Sequence, residues 1–328
     1  MSGKPRIAFF GTPDIAAVFL DVLRENGLAP ALVVTAPDRP AGRGLTLTPP
    51  PVAQWARARD VPFVQPEKLD DAFIESLRAE MLDVCIVVAY GHILPQALID
   101  LPMHKTLNVH FSLLPRWRGA SPVESAILAG DAETGCAIQI MRAKLDTGPL
   151  IAAATTPIAP DETAPELRAR LGDIGARLLV ETLPRYLAGE LAAREQDDAQ
   201  MTYAKKMRKE DGDITNDDDK TRWRKYRAYY GWPGTYFFAL RTSNSHASAS
   251  ASLRGPAVSS IVPPSTPPET ASPRLAAAAP ASSIGKPNMM RIKITAAHFE
   301  NDRFVIDRVV PEGKREMPYA DFLRARQH

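Results

Sequence analysis

Ile7-Ala8-Phe9-Phe10-Gly11-Thr12-Pro13-Asp14 is the stretch on which the fold turns. Four apolar residues make a short run suited to a strand buried on both faces. The Gly-Thr-Pro-Asp that follows turns the chain into a helix predicted to reach about Asn26. Similar runs recur at Ala31 to Ala36, Val61 to Val64, Val84 to Ala89 and Thr106 to His110, with helical patterns between them. That alternation predicts an α/β domain with a mostly parallel sheet covered on both sides. Cys136 to Met141 and Leu150 to Thr155 are later strands of the same domain. Gly11 stands alone, without the Gly-x-Gly-x-x-Gly pattern that brings a dinucleotide to the first turn, so a nicotinamide cofactor is unsupported.

Thr163-Ala164-Pro165-Glu166 has the spacing of a capping box, and Leu167, Leu171, Ile174 and Leu178 follow it at helical intervals. This helix is expected to close the first domain, residues 1–189, against the sheet. Residues 190–204 read as a polar linker. The remainder, 205–328, has strand candidates at Tyr236 to Leu240, Met290 to Thr295 and Arg303 to Val310, which suggests a small β-barrel. Residues 243–287 interrupt it. Eight prolines lie between Pro256 and Pro287 in an Ala/Ser-rich context, so the segment lacks the bulky apolar residues needed to offset chain ordering and reads as a disordered insertion.

The 328 residues suggest two domains, and a hydrophobic fraction of 45% is ample for their cores. A formal net charge of +2 makes any nucleic-acid surface a local one. Two cysteines, Cys85 and Cys136, both in or beside apolar runs, and no secretory signal pattern after Met1 point to a reducing cytoplasm. No apolar run approaches the ~20 residues of a membrane-spanning helix, so no membrane partner is expected.

Asn108-Val109-His110, with Leu145-Asp146-Thr147-Gly148 further on, carries the chemistry. Residues two apart on a strand leave the same face, so the Asn108 amide and the His110 imidazole can converge on one oxygen, with Asp146 orienting the ring. The plainer reading keeps Asn108 and His110 as satisfied polar residues at a strand end and Asp146 as the cap of a turn. His92 and His104 have no ligand spacing, and no metal is expected.

Gly11-Thr12-Pro13-Asp14, Pro37-Asp38-Arg39-Pro40-Ala41-Gly42-Arg43-Gly44, Val87-Val88-Ala89-Tyr90-Gly91 and the block from Asn108 to Asp131 together resemble the methionyl-tRNA formyltransferase family. The likeness is close from Arg6 to about Met207. It implies a Rossmann-like formyltransferase domain followed by an OB-like β-barrel that binds tRNA. It also implies transfer of the formyl group of 10-formyltetrahydrofolate to the α-amino group of methionine on charged initiator tRNA, by a monomer. Asn108, His110 and Asp146 match that family's catalytic residues. Ser112, Leu113, Leu114 and Pro115 match its folate-contact motif, and Val88, Tyr90, Gly91 and Leu94 are expected to wall the pteridine pocket.

The chemistry suits these residue types. An amine attacking a formyl carbon builds negative charge on the formyl oxygen, to which Asn108 and His110 can donate hydrogen bonds. Asp146 would help to route the amine proton away. The loop from Pro37 to Leu47 is by composition a Gly/Pro-rich connection; the resemblance implies that it enters the tRNA acceptor arm through Arg43, supported by Arg39. Lys205 and Lys206 are further tRNA candidates, as part of a basic and aromatic face. Arg116 and Arg118 are candidate phosphate contacts, and Trp117 is expected to pack. A sibling enzyme acting on a sugar nucleotide amine or on glycinamide ribonucleotide would share the Asn-His-Asp set but would not need the arginine loop and a terminal barrel; a folate hydrolase is a further neighbour. A catalytically silent RNA-binding module would not need the Asn-His-Asp set.

Overall fold

The computed structural model describes residues 4–41, 44–241 and 289–326. Arg43 and the expected insertion 243–287 lie outside the described residues.

Strand β1 (Ile7–Gly11) leads into helix α1 (Asp14–Glu25), as the opening stretch requires. Then come β2 (Leu32–Val34), a hairpin of β3 (Arg39–Ala41) and β4 (Thr46–Thr48), α2 (Pro51–Ala58), β5 (Phe63–Val64), α3 (Asp71–Arg78), β6 (Val84–Val88), α4 (Gln96–Ile99) and β7 (Thr106–His110). After β8 (Arg118–Gly119) and α5 (Pro122–Ala129), the long strands β9 (Glu133–Ile140) and β10 (Leu150–Pro157) precede α6 (Ala164–Leu187). The seven-stranded sheet has the order β10-β9-β7-β6-β1-β2-β5. From β7 to β5 all neighbours are parallel, while β9 runs antiparallel to both β7 and β10. The sheet is therefore mostly parallel, as the alternating pattern predicts.

Strand alternation divides β1 between two cores. Ile7 and Phe9 join the cluster built with α1, α2, α5 and α6, whereas Ala8 and Phe10 join the one under α3 and α4. The Thr163–Glu166 capping box forms at the start of α6. The fully buried stripe of that helix runs through Leu167, Leu171, Gly175, Leu179 and Leu183; Ile174 and Leu178 are only partly covered. A Cβ at Gly175 would lie 2.8 Å from Phe19 and 3.2 Å from the sulfur of Cys136, so the bare backbone lets α6 press onto α1 and the sheet.

The chain goes from β1 through β2 to β5 in one direction and through β6 and β7 in the other. The carboxyl ends of β1 and β6 thus flank the point where strand order reverses, the usual place for a ligand crevice in an open α/β sheet. Thr12 spans that crevice by donating its hydroxyl to the Tyr90 carbonyl at 2.9 Å.

Residues 190–204 do not hang loose. Arg194 exchanges two main-chain hydrogen bonds with Leu150, and β11 (Tyr203–Ala204) pairs in parallel with β8. The segment is a strap tied to the start of β10 and to β8. Beyond it, α7 (Asp219–Ala228), β12 (Tyr236–Leu240), β13 (Met289–Glu300), β14 (Arg303–Pro311), β15 (Met317–Pro318) and α8 (Tyr319–Arg324) build the small β domain. Its strands form a four-stranded antiparallel sheet around Ile292, Ile294, Phe304 and Val309.

The basic and aromatic residues between Arg222 and Trp232 are largely spent on internal contacts. Trp223 stacks between Tyr226 and Phe299, Lys225 pairs with Asp217, and Arg222 pairs with Asp219. Arg227 is buried and donates to the Ala159 and Glu162 carbonyls, docking the small domain on the large one. Tyr230 and Trp232 remain exposed. Among the described residues no helix is long and apolar enough to cross a membrane.

Candidate active site

Asn108 and His110 lie at the carboxyl end of β7 and face a cavity of about 620 Å³, within the ordinary range for a small-molecule site. Asp146 reaches the same cavity from the turn between β9 and β10. The three side chains that sequence spacing suggested are thus brought together. The Asn108 amide makes no side-chain hydrogen bond among the described residues, which leaves it available to a bound molecule.

His110 is buried, and its two ring nitrogens have different neighbours. Nε2 lies 2.8 Å from the Trp117 carbonyl, while Nδ1 lies 3.8 Å from Oδ1 of Asp146. A carbonyl can only accept, so Nε2 carries a hydrogen and Nδ1 is the nitrogen free to exchange a proton. Asp146 is itself held from two sides. The Gly119 N–H donates to Oδ2 at 2.8 Å and the Gln139 amide donates to Oδ1 at 2.9 Å. Gln139 is buried, and it also accepts from Gly148 N–H at 3.1 Å, which closes the turn beneath the carboxylate.

Backbone conformations support this layout. Trp117 and Asp146 both have left-handed φ, 61° and 51°, uncommon for residues with a side chain and stored here beside the reacting groups. Gly119 has φ 122°, and a Cβ there would come within 2.4 Å of the Ala204 carbonyl. Only glycine lets the strap pass so close to the peptide that binds Asp146.

Tyr90, Gly91 and Leu94 line the cavity. Val88 does not: it points into the core with Phe9 and Ile86, and Val87 and Ala89 form the wall instead. The cause is strand alternation, since β6 is buried on both faces and successive side chains leave on opposite sides. Ser112, Leu113, Leu114 and Pro115 are also absent from the lining. Ser112 is fully buried and donates to the Arg116 carbonyl at 2.6 Å, and Leu114 is buried, so the motif shapes the turn that carries Trp117. Met141, Leu145 and Phe111 contribute apolar wall that spacing did not single out.

Lys206 borders the cavity, whereas Lys205 faces an adjoining hollow of about 400 Å³ bounded also by Trp117 and Tyr203. Neither lysine forms an ion pair among the described residues. Arg39 sits on the projecting β3–β4 hairpin, 3.6 Å from Glu67. The expected loop is this hairpin, because Thr46, Leu47 and Thr48 favour extended pairing. Arg118 is not a phosphate contact: it is 1% exposed and donates to Gln196 and Asp198. Arg116 pairs with Asp131 and stacks over Trp117, whose indole N–H also donates to Asp131, so Trp117 packs as expected.

Neither cysteine lines the cavity. Burial pushes both the Cys85 and Cys136 thiols up to about 12. Burial also pushes the Tyr90 hydroxyl up to about 12, which keeps it neutral in the cavity wall. Among the described residues no group of three or more His, Cys, Asp or Glu is arranged to hold a metal ion.

Comparison with known proteins identifies the family and the fold. Residues 5–183 match the family described as formyl transferase. Over 235 residues, 71% of this chain and 76% of the relative, the sequence is 46% identical to a methionyl-tRNA formyltransferase of Thermus thermophilus. A protein of the same name from Halorhodospira halophila is 50% identical over 202 residues, 62% of this chain and 65% of its own length. Among solved structures, a sugar N-formyltransferase from Shewanella superposes with a TM-score of 0.57 at 14% identity, covering 73% of this chain and 94% of that one. An N-formyltransferase of Helicobacter canadensis superposes with a TM-score of 0.54 at 17% identity, covering 68% and 80%. At such identities these structures speak for the fold alone.

Proposed function

The chain belongs to the formyltransferase family, within its methionyl-tRNA branch, and from that premise we propose that it moves the formyl group of 10-formyltetrahydrofolate onto the α-amino group of methionyl-initiator tRNA. The observation that carries the reading is the convergence of an unengaged Asn108 amide, the Nδ1 side of His110 and a doubly held Asp146 carboxylate on one partly apolar cavity.

The reaction asks little of a strong base. A free α-amino group has a pKa near ~8, so a useful fraction is already neutral, and positioning two bound reactants supplies much of the advantage. The amine nitrogen bonds to the formyl carbon, and the carbonyl π pair moves to oxygen. Asn108 donates to that oxyanion, and Nδ1–H of the imidazolium form of His110 is the second donor, with Asp146 compensating its charge. The nitrogen then gives up its proton through Asp146 and water. Collapse of the intermediate breaks the bond to N10 of the folate, which takes a proton and leaves as tetrahydrofolate.

The flat apolar walls at Val87, Ala89, Tyr90 and Leu94 suit a pteridine ring, and the exposed Gly91 and His92 leave a way out for the rest of the donor. Lys206 at the rim, Lys205 beside it and Arg39 on the hairpin are the cations assigned to the RNA backbone, together with Arg43, which lies outside the described residues. The reading includes a cytoplasmic monomer, which size-exclusion chromatography with light scattering tests. Incubating the protein with charged initiator tRNA and 10-formyltetrahydrofolate should yield formylmethionine; an amino-sugar nucleotide offered instead should stay unmodified. No formylmethionine under those conditions would overturn the proposal.

A further inference from the structure

Gln196 lies beyond the stretch matched by the family, on the strap that sequence alone reads as a linker. Its amide donates to the main-chain oxygen of Asp146 at 2.9 Å and of Gly148 at 2.7 Å. Its carbonyl oxygen accepts from Nε of Arg118 at 3.0 Å and from Nη2 at 2.7 Å. The orientation of this amide is not a matter of choice. A guanidinium has donors only, so the atom facing Arg118 is the oxygen, and the NH2 group is turned toward the two carbonyls.

We infer that Gln196 is a positioning residue for the reaction, pinning the Asp146–Gly148 turn so that the carboxylate stays in register with His110. The inference rests on the roles given above to His110 and Asp146. Three further observations carry it. The turn is conformationally costly at Asp146, which has left-handed φ, and closely packed at Gly148, where a Cβ would fall 1.7 Å from the Ile140 carbonyl, so an external tie helps to hold it in place. Arg118, the anchor of the tie, is fully buried, and its second partner, Asp198, lies on the same strap. The strap also reaches the other half of the site: the Trp117 N–H donates to the Thr202 hydroxyl at 2.9 Å, and the Trp117 carbonyl holds His110. One segment therefore sets both ends of the His110 to Asp146 separation.

A double-mutant cycle tests the assignment. Gln196→Glu keeps the size and the acceptor for Arg118 but turns an oxygen without a hydrogen toward two carbonyl oxygens. With charged initiator tRNA and 10-formyltetrahydrofolate, kcat should fall about tenfold to a hundredfold, the loss expected for a displacement of about 1 Å, while both KM values stay within about twofold. In an Asp146→Asn background the same substitution should cost less than about threefold, because the group it positions has already lost its charge. An equal loss in both backgrounds, or no loss in either, overturns the inference. If Gln196→Glu fails to fold, Gln196→Met, of similar length and unable to donate, goes through the same cycle with the same criteria. A wild-type protein inert toward methionyl-tRNA would count against the proposed function, not against the tie. The tie would then be judged from a crystal structure of the variant: an Asp146 carboxylate moved off the Gly119 N–H and Gln139 amide supports it, and an unmoved one refutes it.

Discussion

His110 and Trp117 are joined by a 2.8 Å contact from the ring Nε2 to the main-chain oxygen, made by a tryptophan in left-handed conformation. Because that oxygen can only accept, the neutral imidazole is expected to be the Nε2–H tautomer, with its lone pair on the side of Asp146. Nitrogen-15 NMR of labelled histidine reads the tautomer directly. Finding the hydrogen on Nδ1 in the neutral ring would contradict the donation from Nε2 to the Trp117 carbonyl.

Asn108 is the only one of the three converging side chains without a protein partner among the described residues, so its amide is free to follow charge as it develops. Asn108→Ala should lower kcat about 100- to 1,000-fold, with tRNA binding retained. His110→Ala should behave alike. Rates near wild type in both variants would remove these residues from the mechanism.

Gly119 serves the strap and the site at once, since its N–H binds Asp146 while the Ala204 carbonyl passes over its α-carbon. Gly119→Ala should destabilise the fold by about 1–3 kcal/mol through strain at φ 122° and loss of the close approach. Urea denaturation measures the first effect. Turnover should fall as well, and a variant that is both stable and fully active would show that the strap need not lie so near.

Cys85 and Cys136 are buried, and their thiols, pushed up to about 12 by burial, stay protonated at neutral pH. The native protein should resist a thiol reagent at pH 8 on a timescale where the denatured chain reacts at both positions. Rapid labelling of the folded protein, or loss of activity on labelling before unfolding, would show a reactive cysteine where the packing allows none.

The Glu166 carboxyl is held below its ordinary range by hydrogen bonds from the Thr163 side chain and then the Thr163 N–H. A carboxyl lowered in the folded state adds stability above its unfolded pKa, and that contribution fades as pH falls through the folded value. Thr163→Ala should therefore cost about 0.5–2 kcal/mol at neutral pH, the range for losing a helix cap. The gap between variant and wild type should narrow as pH drops from about 5 toward 3. A gap that stays constant over that interval would mean that the cap works without the Glu166 charge.

Much of the fold was legible from local pattern. Apolar runs at Ile7, Val84 and Thr106 mark central strands because a parallel strand buried on both faces needs uninterrupted hydrophobicity, and the Thr163-to-Glu166 spacing marks the start of α6 because its hydrogen bonds span only three residues. Asn108 and His110 were legible for the same reason, being two apart on one strand. What only the tertiary structure decided depends on contacts between distant residues. The strap binds Arg118 to Gln196 across 78 positions and Asp146 to Gln196 across 50, and nothing in a polar linker composition announces such pairing. The inward turn of Val88 and Ser112, the burial of Arg118 and the internal use of Trp223 and Arg227 likewise follow from which faces the packed layers cover. Sequence pattern determines which residues are able to meet; close packing of separate segments determines which of them do.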